Sequence, residues 1–147
     1  MTDDLIAEYG VGQYDADWRK IKAAWYMKGS NVRKIENIWG GFDVNVQDAD
    51  SELYYPNVYG LKEKSKIWFW ANCENKAGTW VEVWNDRTNE KIAECHIPYT
   101  NVPCHVGYEI FGCDIHAEHA DENKTSIRLT FRGEGENLMR LHWFRFE

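Results

Sequence analysis

Residues 126–132 read Ser-Ile-Arg-Leu-Thr-Phe-Arg, and polar and apolar side chains alternate along the whole stretch. Successive side chains of an extended chain point to opposite faces, so Ile127, Leu129 and Phe131 share one side. The other side carries two arginines, a serine and a threonine. This alternation predicts a β-strand with one buried face and one solvent-facing face.

Similar patterns recur through much of the chain, separated by turn-forming residues about every eight to twelve positions. Between two of the runs, residues 85–89 (Asn-Asp-Arg-Thr-Asn) predict a hairpin turn. Short strands at this spacing, with no helix of ten or more residues, are typical of an antiparallel β-sandwich or barrel. The further runs predicted as strands are 18–26, 53–59, 66–71, 79–84, 90–97, 107–115 and 139–146.

The 147 residues suffice for one domain. The first 15 or so residues lack a pattern, so residues 1–17 are expected to form an N-terminal linker or extension and residues 18–147 a single β-sandwich. The opening residues also lack the basic and apolar regions of a secretory signal. Localisation is therefore left between the cytoplasm and a module excised from an extracellular enzyme.

Charge and the length of the apolar runs each argue against one class of partner. The chain has 17 Lys and Arg against 24 Asp and Glu, a net charge of -7, which repels a phosphate backbone. No apolar run approaches the roughly 20 residues that span a bilayer. We therefore expect neither a nucleic-acid partner nor a membrane partner.

The cysteines and histidines carry no recognisable site motif. Cys73, Cys95, Cys104 and Cys113 lack CxxC spacing and are predicted to be buried or half-buried thiols. In an exported protein their even number would allow three pairings, which the sequence does not rank. The segment 116–119 (His-Ala-Glu-His) is interpreted as part of a solvated, charged loop rather than a metal site.

No sequence motif indicates an enzyme. GxSxG, HExxH, P-loop and GxGxxG patterns are all absent. Carboxylate pairs can be drawn almost at will from 24 acidic residues, so they carry no weight. We therefore predict a protein without a catalytic centre.

Aromatic residues give the strongest functional indication, with 8 Trp and 8 Tyr in the chain. Indole and phenol rings pack against the C–H faces of sugars. Trp68 and Trp70 share one strand face, and Trp80 and Trp84 share another, where packing on the sheet is the simpler explanation. Trp39 directly precedes two glycines in a predicted loop, so it is a candidate ligand contact.

Four stretches, in order along the chain, are similar to one set of family motifs. Residues 21–25 (IKAAW) fall where the family has an "IEAE" strand, and residues 40–46 (GGFDVNV) where it has "GGxNVGYI". Residues 78–100 are similar to its "GGxIEIRLDSxxGxxIGTxxVPxT" hairpin, and residues 139–146 (MRLHWFRF) to "FNIDWFxF". Through these motifs the chain resembles the family 6 carbohydrate-binding modules that accompany glycoside hydrolases. The resemblance implies an all-β jelly-roll sandwich of the galactose-binding-domain type, without catalytic activity.

Such modules commonly hold a structural calcium with carboxylates from the first and last of these stretches. The corresponding positions here are Lys22, Ala24 and His142, none of which supplies the hard oxygen ligands that calcium requires. We therefore expect no calcium and no other cofactor. Lys22 and His142 would instead place positive charge where the ion lies in the family.

The sugar site that the resemblance implies is also altered. The family's stacking Tyr corresponds to Val46, with Asn45 beside it, and the closest planar candidate for its Trp is His105. The family's hydrogen-bonding Asn corresponds to Arg140, which suits an acidic sugar because a guanidinium binds carboxylates in a bidentate manner. The candidate carbohydrate-binding residues are Trp39, Asn45, His105 and Arg140.

Two functions follow from this reading. The first is a non-catalytic module that binds a plant polysaccharide, xylan-type or acidic, beside a glycoside hydrolase catalytic domain. The alternative is a ligand-less structural module of the same fold, which packs against a catalytic domain or a second copy of itself. A binder would expose a Trp ring in a cleft, whereas a packing module would expose a flat apolar patch.

Overall fold

The computed structural model describes residues 12–37, 40–100 and 107–147. No helix in these ranges is both long and apolar enough to cross a bilayer. Besides three single-turn 3₁₀ helices (Ala23–Trp25, Leu61–Glu63 and Ala117–His119), they contain twelve strands. The strands are β1 Tyr14–Asp15, β2 Ile21–Lys22, β3 Lys28–Ser30, β4 Val32–Glu36, β5 Phe42–Val46, β6 Glu52–Tyr59, β7 Lys66–Asn72, β8 Thr79–Asn85, β9 Lys91–Ile97, β10 Glu109–Asp114, β11 Lys124–Arg132 and β12 Met139–Phe146.

The strands form two sheets that pack face to face. Sheet A has the order β1-β6-β11-β8-β9, with β3 also paired to β6. Sheet B has the order β10-β7-β12-β5-β4, with β2 also paired to β12. All pairings are antiparallel except that of β1 with β6. This arrangement confirms the predicted all-β sandwich.

The inner faces of the two sheets form one hydrophobic core. Ile127, Leu129 and Phe131 of β11 are at most 1% exposed, as their alternation predicted. Across the layers, the ring of Tyr55 in sheet A lies 5.0 Å from that of Phe144 in sheet B. Burying each such side chain stabilises the fold by about 1.5–3 kcal/mol, so this contact holds the two sheets together.

The predicted strand at 18–26 is wrong. Only Ile21–Lys22 is extended there, and it is followed by the 3₁₀ turn that buries Ala23 and Ala24. The Tyr55 hydroxyl donates to the Ala23 carbonyl oxygen at 2.6 Å, so a side chain satisfies a group that a strand would pair with its neighbour. The edge strand β4 was not predicted, because its charged residues obscure the alternation.

The sheet also begins earlier than expected. Strand β1 lies inside residues 1–17, which were expected to form a linker or extension. Tyr14 is 1% exposed and Ala16 is fully buried. The described part of this segment therefore packs on the sandwich, in contrast to that expectation.

The cysteine prediction needs one correction. Cys95 of β9 and Cys113 of β10 form a disulfide with a Cα–Cα distance of 5.5 Å, so they are not thiols. Strands β9 and β10 are the edge strands of different sheets, and this pairing places their cysteines side by side. Cys73 is a buried free thiol, as predicted, and Cys104 lies outside the described residues.

We expect the double substitution Cys95→Ala with Cys113→Ala to lower the free energy of unfolding by about 2–4 kcal/mol, because the disulfide closes a loop in the unfolded chain. Urea denaturation with and without dithiothreitol measures this. The reductant should destabilise the wild type and a Cys73→Ala control equally and leave the double variant unchanged. A wild type that is insensitive to reduction would contradict the disulfide.

Candidate functional site

The two described site candidates, Asn45 and Arg140, lie side by side on the outer face of sheet B. Arg140 of β12 pairs with Asn45 on one side and with Asn72 of β7 on the other. Arg33 of β4 continues the row, because it pairs with Asn45. Residues opposite each other in an antiparallel sheet share a face. Two amide and two guanidinium side chains thus form one row, with one residue on each of four adjacent strands.

This row borders a polar depression of about 190 Å³ at one end of the sheet. The Asn45 amide oxygen accepts a hydrogen bond from the Gln47 side chain, which orients it. Asn72 is buried, and its amide nitrogen donates to Thr100 Oγ1 and to the Gly107 carbonyl, both at 3.0 Å. The lining residues are Asn45, Asn72, Glu74, Asn137, Met139 and Arg140.

A buried hydrogen-bond network lies beside this depression, centred on Asp43. The Asp43 carboxylate is fully buried. It accepts hydrogen bonds from Asn37 Nδ2 at 2.9 Å and from the Tyr108 hydroxyl, and its Oδ1 lies 2.7 Å from His142 Nδ1. Three partners compensate for the desolvation of this carboxylate, which would otherwise be costly.

Tyr108 connects this network to Arg140. Burial raises the pKa of the Tyr108 phenol far above its usual value. The hydrogen bond to Asp43 and the negative charge of that carboxylate raise this pKa further, whereas Arg140 lowers it. The phenol therefore stays protonated and donates a hydrogen bond to the Asp43 carboxylate. Arg140 acts on the same hydroxyl and lines the depression.

A bulge in β12 places His142 in this network. The pairing with β7 shifts register between Leu141 and Trp143, so one residue of β12 has no partner there. His142 is only 5% exposed, and its ring lies 5.0 Å from that of Trp70 in an edge-to-face arrangement. The bulge thus lets His142 reach Asp43 while Trp143 stays opposite Trp70.

The residues at the family's calcium positions do not fit calcium. A β-carbon placed on Gly41 would lie 3.6 Å from Lys22 Nζ and 3.9 Å from His142 Cε1, so these two side chains converge there. Ala24 contributes only a buried methyl group. Calcium requires several oxygen ligands, and the neighbouring Asp43 carboxylate is already bonded to three other side chains.

Part of this candidate site consists of residues named from the sequence, and their role in sugar binding stays a prediction. The structure brings Asn45 and Arg140 together, whereas Trp39 and His105 lie outside the described residues. The sequence did not indicate Asp43 and Tyr108 as part of this site. The available signal was the position of Asp43 two residues before Asn45, since alternate residues of a strand share a face.

Trp80 and Trp84 lie on the outer face of sheet A, where basic side chains contact their rings, and Trp80 stays 37% exposed. Arg132 lies 5.2 Å from the ring centre of Trp80, and Lys91 lies 5.1 Å from that of Trp84. Each cation–π contact occupies one face of its ring. These contacts agree with packing on the sheet, which is the simpler explanation of the two tryptophans.

The histidine segment 116–119 forms a single 3₁₀ turn. His119 lies near two carboxylates, 3.7 Å from Glu90 and 3.8 Å from Glu118. Within residues 12–37, 40–100 and 107–147, no group of three or more His, Cys, Asp or Glu side chains is arranged to hold a metal ion.

Comparison with solved structures identifies the fold. A family 6 carbohydrate-binding module from Clostridium cellulolyticum, in complex with xylose, matches with a TM-score of 0.75 and 22% identity over 90% of this chain and 98% of its own. A β-1,3-glucan binding module of the same family from Bacillus halodurans matches with a TM-score of 0.78 and 17% identity over 92% and 98%.

The same fold also occurs within larger enzymes. A family 43 arabinoxylan arabinofuranohydrolase from Bacillus subtilis matches with a TM-score of 0.76 and 12% identity, over 92% of this chain but only 28% of its own. No family model and no curated protein matches the sequence. The chain therefore has the sandwich fold of family 6 carbohydrate-binding modules, as the sequence resemblance implied.

We expect Tyr108→Phe to lower the free energy of unfolding by about 1–3 kcal/mol at neutral pH, because it removes one partner of the buried Asp43 carboxylate. The raised pKa of Tyr108 makes the native state hold a proton that the unfolded chain releases above about pH 10. Stability is thus full below that pH and is lost as the pH rises toward the folded-state pKa. The variant should show a shallower alkaline loss in urea denaturation at several pH values; identical pH slopes would contradict this network.

Proposed function

We propose that this chain is a non-catalytic carbohydrate-binding module. The observation that carries the proposal is the polar depression beside Asn45 and Arg140, on a fold whose solved examples are described in complex with xylose or as binding β-1,3-glucan. Amide and guanidinium groups on neighbouring strands provide hydrogen-bond donors and acceptors for sugar hydroxyls. Their fixed positions reduce the entropy lost on binding.

We further propose that the ligand is an acidic glycan. Arg140 is half-buried, and within the described residues no carboxylate oxygen lies within 4 Å of its guanidinium. A guanidinium in this position matches a uronic acid carboxylate, because charge-assisted bidentate hydrogen bonds are stronger than neutral ones. In the same proposal, Trp39 and His105 supply rings that pack on the sugar.

A glycoside hydrolase catalytic domain is the partner that we propose for this module. The support is that the fold accounts for 28% of the Bacillus subtilis enzyme and 29% of an exo-β-1,3-galactanase from Phanerochaete chrysosporium. The same observation favours the alternative, a structural module that packs against a catalytic domain and binds no sugar. Glycan binding by the isolated chain distinguishes the two.

Arg140→Ala tests the acidic preference. We expect the wild type to bind glucuronoxylan or pectin more tightly than neutral xylan or arabinan. The variant should lose roughly tenfold or more in affinity for the acidic pair, because it loses charge-assisted hydrogen bonds worth about 1.5–3 kcal/mol. Isothermal titration calorimetry measures both.

Arg87→Ala is the matched control for this experiment. Arg87 is an exposed arginine that pairs with Asp121 at 2.6 Å, outside the depression, so its removal should leave affinity unchanged. An unchanged affinity of Arg140→Ala would refute the acidic preference. A well-folded wild type that binds none of the four polysaccharides would favour the structural module.

We also propose that the fold does not depend on calcium, because Lys22 and His142 replace oxygen ligands with positive or neutral nitrogen groups. The melting temperature of the wild type should be the same in calcium and in chelator. Lys22→Glu combined with His142→Asp restores two carboxylates and should make the melting temperature rise with calcium. A wild type that calcium stabilises would contradict the proposal.

A further inference from the structure

The outer face of sheet B continues beyond the depression into a surface rich in tryptophan. Trp68, Trp70 and Asn72 alternate along β7, so all three lie on this face. Their partners on β12 are Arg145, Trp143 and Arg140, in that order. The row that contains Arg140 is therefore the first of three successive rows on one continuous surface.

Three tryptophans and one isoleucine form the centre of this surface, which we call the tryptophan platform: Trp68, Trp70, Trp143 and Ile110. The rings of Trp70 and Trp143 lie 6.0 Å apart with an angle of 29° between their planes. Ile110, opposite Trp70 on the edge strand β10, is 52% exposed. The three tryptophans are half-buried, and Lys66 and Lys20 lie 5.9 Å from the ring centres of Trp68 and Trp143.

Local contacts hold the platform flat. Trp68 lies over Gly112 of β10, where any side chain would clash with the indole ring. Its Nε1 donates to Glu147 Oε2 at 2.6 Å. The platform is therefore pre-formed, which lowers the entropy cost of binding a ligand on it.

The charges on the two outer faces of the sandwich differ. On sheet A each arginine of β11 has acidic partners: Arg128 pairs with Asp86 at 2.8 Å, and Arg132 pairs with Glu82 and Glu94. On sheet B, Arg33, Arg140 and Arg145 have no carboxylate oxygen within 4 Å among the described side chains.

This difference indicates the chemistry of the occupant. The protein carries a net charge of -7, yet Arg140 and Arg145, which have no acidic partner among the described side chains, border one aromatic surface. A ligand with apolar ring faces and regularly spaced carboxylates complements both features at once, because sugar C–H faces pack on indole and carboxylates bind guanidinium. A neutral polysaccharide would leave the arginines unused.

We propose that an acidic polysaccharide lies across sheet B, from the depression at Arg140 over Trp143 and Trp70 to Arg145. This proposal rests on the proposed function and extends its site along the sheet. Arg140 and Arg145 are five residues apart on β12, but the bulge leaves them opposite Asn72 and Trp68, four residues apart on β7, which is about 13 Å along the strand. Only a ligand of several sugar units reaches both arginines.

Ligand length gives the test. Isothermal titration calorimetry would compare digalacturonate with octagalacturonate on the wild type, Arg140→Ala and Arg145→Ala. We expect Arg145→Ala to lower the affinity for the octamer fivefold or more and to leave the dimer unaffected. Arg140→Ala should weaken both. Arg132→Ala, on the opposite sheet, is the matched control and should change neither.

The variants distinguish this proposal from the proposed function. If Arg140→Ala weakens binding and Arg145→Ala binds the octamer as the wild type does, the depression binds sugar and the platform proposal is overturned. If the wild type binds and no variant alters that binding, both the depression and the platform are wrong as sites, whereas a folded wild type that binds neither oligomer refutes the proposed function. Trp143→Phe keeps an aromatic ring and should retain octamer binding that Trp143→Ala loses; equal affinities of these two folded variants would also overturn the platform.

Discussion

The bulge at His142 is the constraint on which the outer face of sheet B depends. Without the extra residue, the alternation of β12 would place Trp143 and Arg145 on the core side whenever Arg140 faces outward. The bulge lets Arg140, Trp143 and Arg145 share one face while Leu141 and Phe144 stay in the core. It also directs His142 onto Asp43, whose other partner Tyr108 lies close enough to Arg140 for the guanidinium to lower its pKa.

The two sheets use similar residues in different ways. On sheet A, tryptophans and arginines cover each other, and carboxylates neutralise the cations, so that face is largely self-satisfied. On sheet B, Lys20 and Lys66 lie 5.9 Å from the ring centres of Trp143 and Trp68, so cations also contact these rings. The difference is that Arg140 and Arg145 beside them have no acidic partners among the described residues. Surface ion pairs contribute little to stability, so this difference between the sheets has little effect on folding.

The sequence was sufficient for the fold because burial on one face leaves a period of two that can be read directly. The strand at 126–132 and the hairpin at 85–89 illustrate this. The 3₁₀ turn at 23–25 was missed because tyrosine hydroxyls, distant in sequence, satisfy its carbonyl groups. The Cys95–Cys113 bond depends on the spatial adjacency of two edge strands, which no local pattern reports.

The site was predictable only in part. Arg140 and Asn45 could be assigned because they occupy positions of recognisable motifs, and the sheet register places them together. Asp43 and Tyr108 lie 65 positions apart, and their contact follows from the tertiary fold. The platform also depends on the bulge, because a strict alternation places Trp143 on the opposite face from Arg140.

The central claim is that the outer face of sheet B binds an acidic glycan. Titration of isotope-labelled protein with octagalacturonate, followed by nuclear magnetic resonance of indole and guanidinium N–H groups, tests it directly. We expect shifts for Trp70, Trp143, Arg140 and Arg145, and none for Trp80 or Trp84. Shifts confined to the sheet A tryptophans, or no shifts at saturating ligand, would contradict the account.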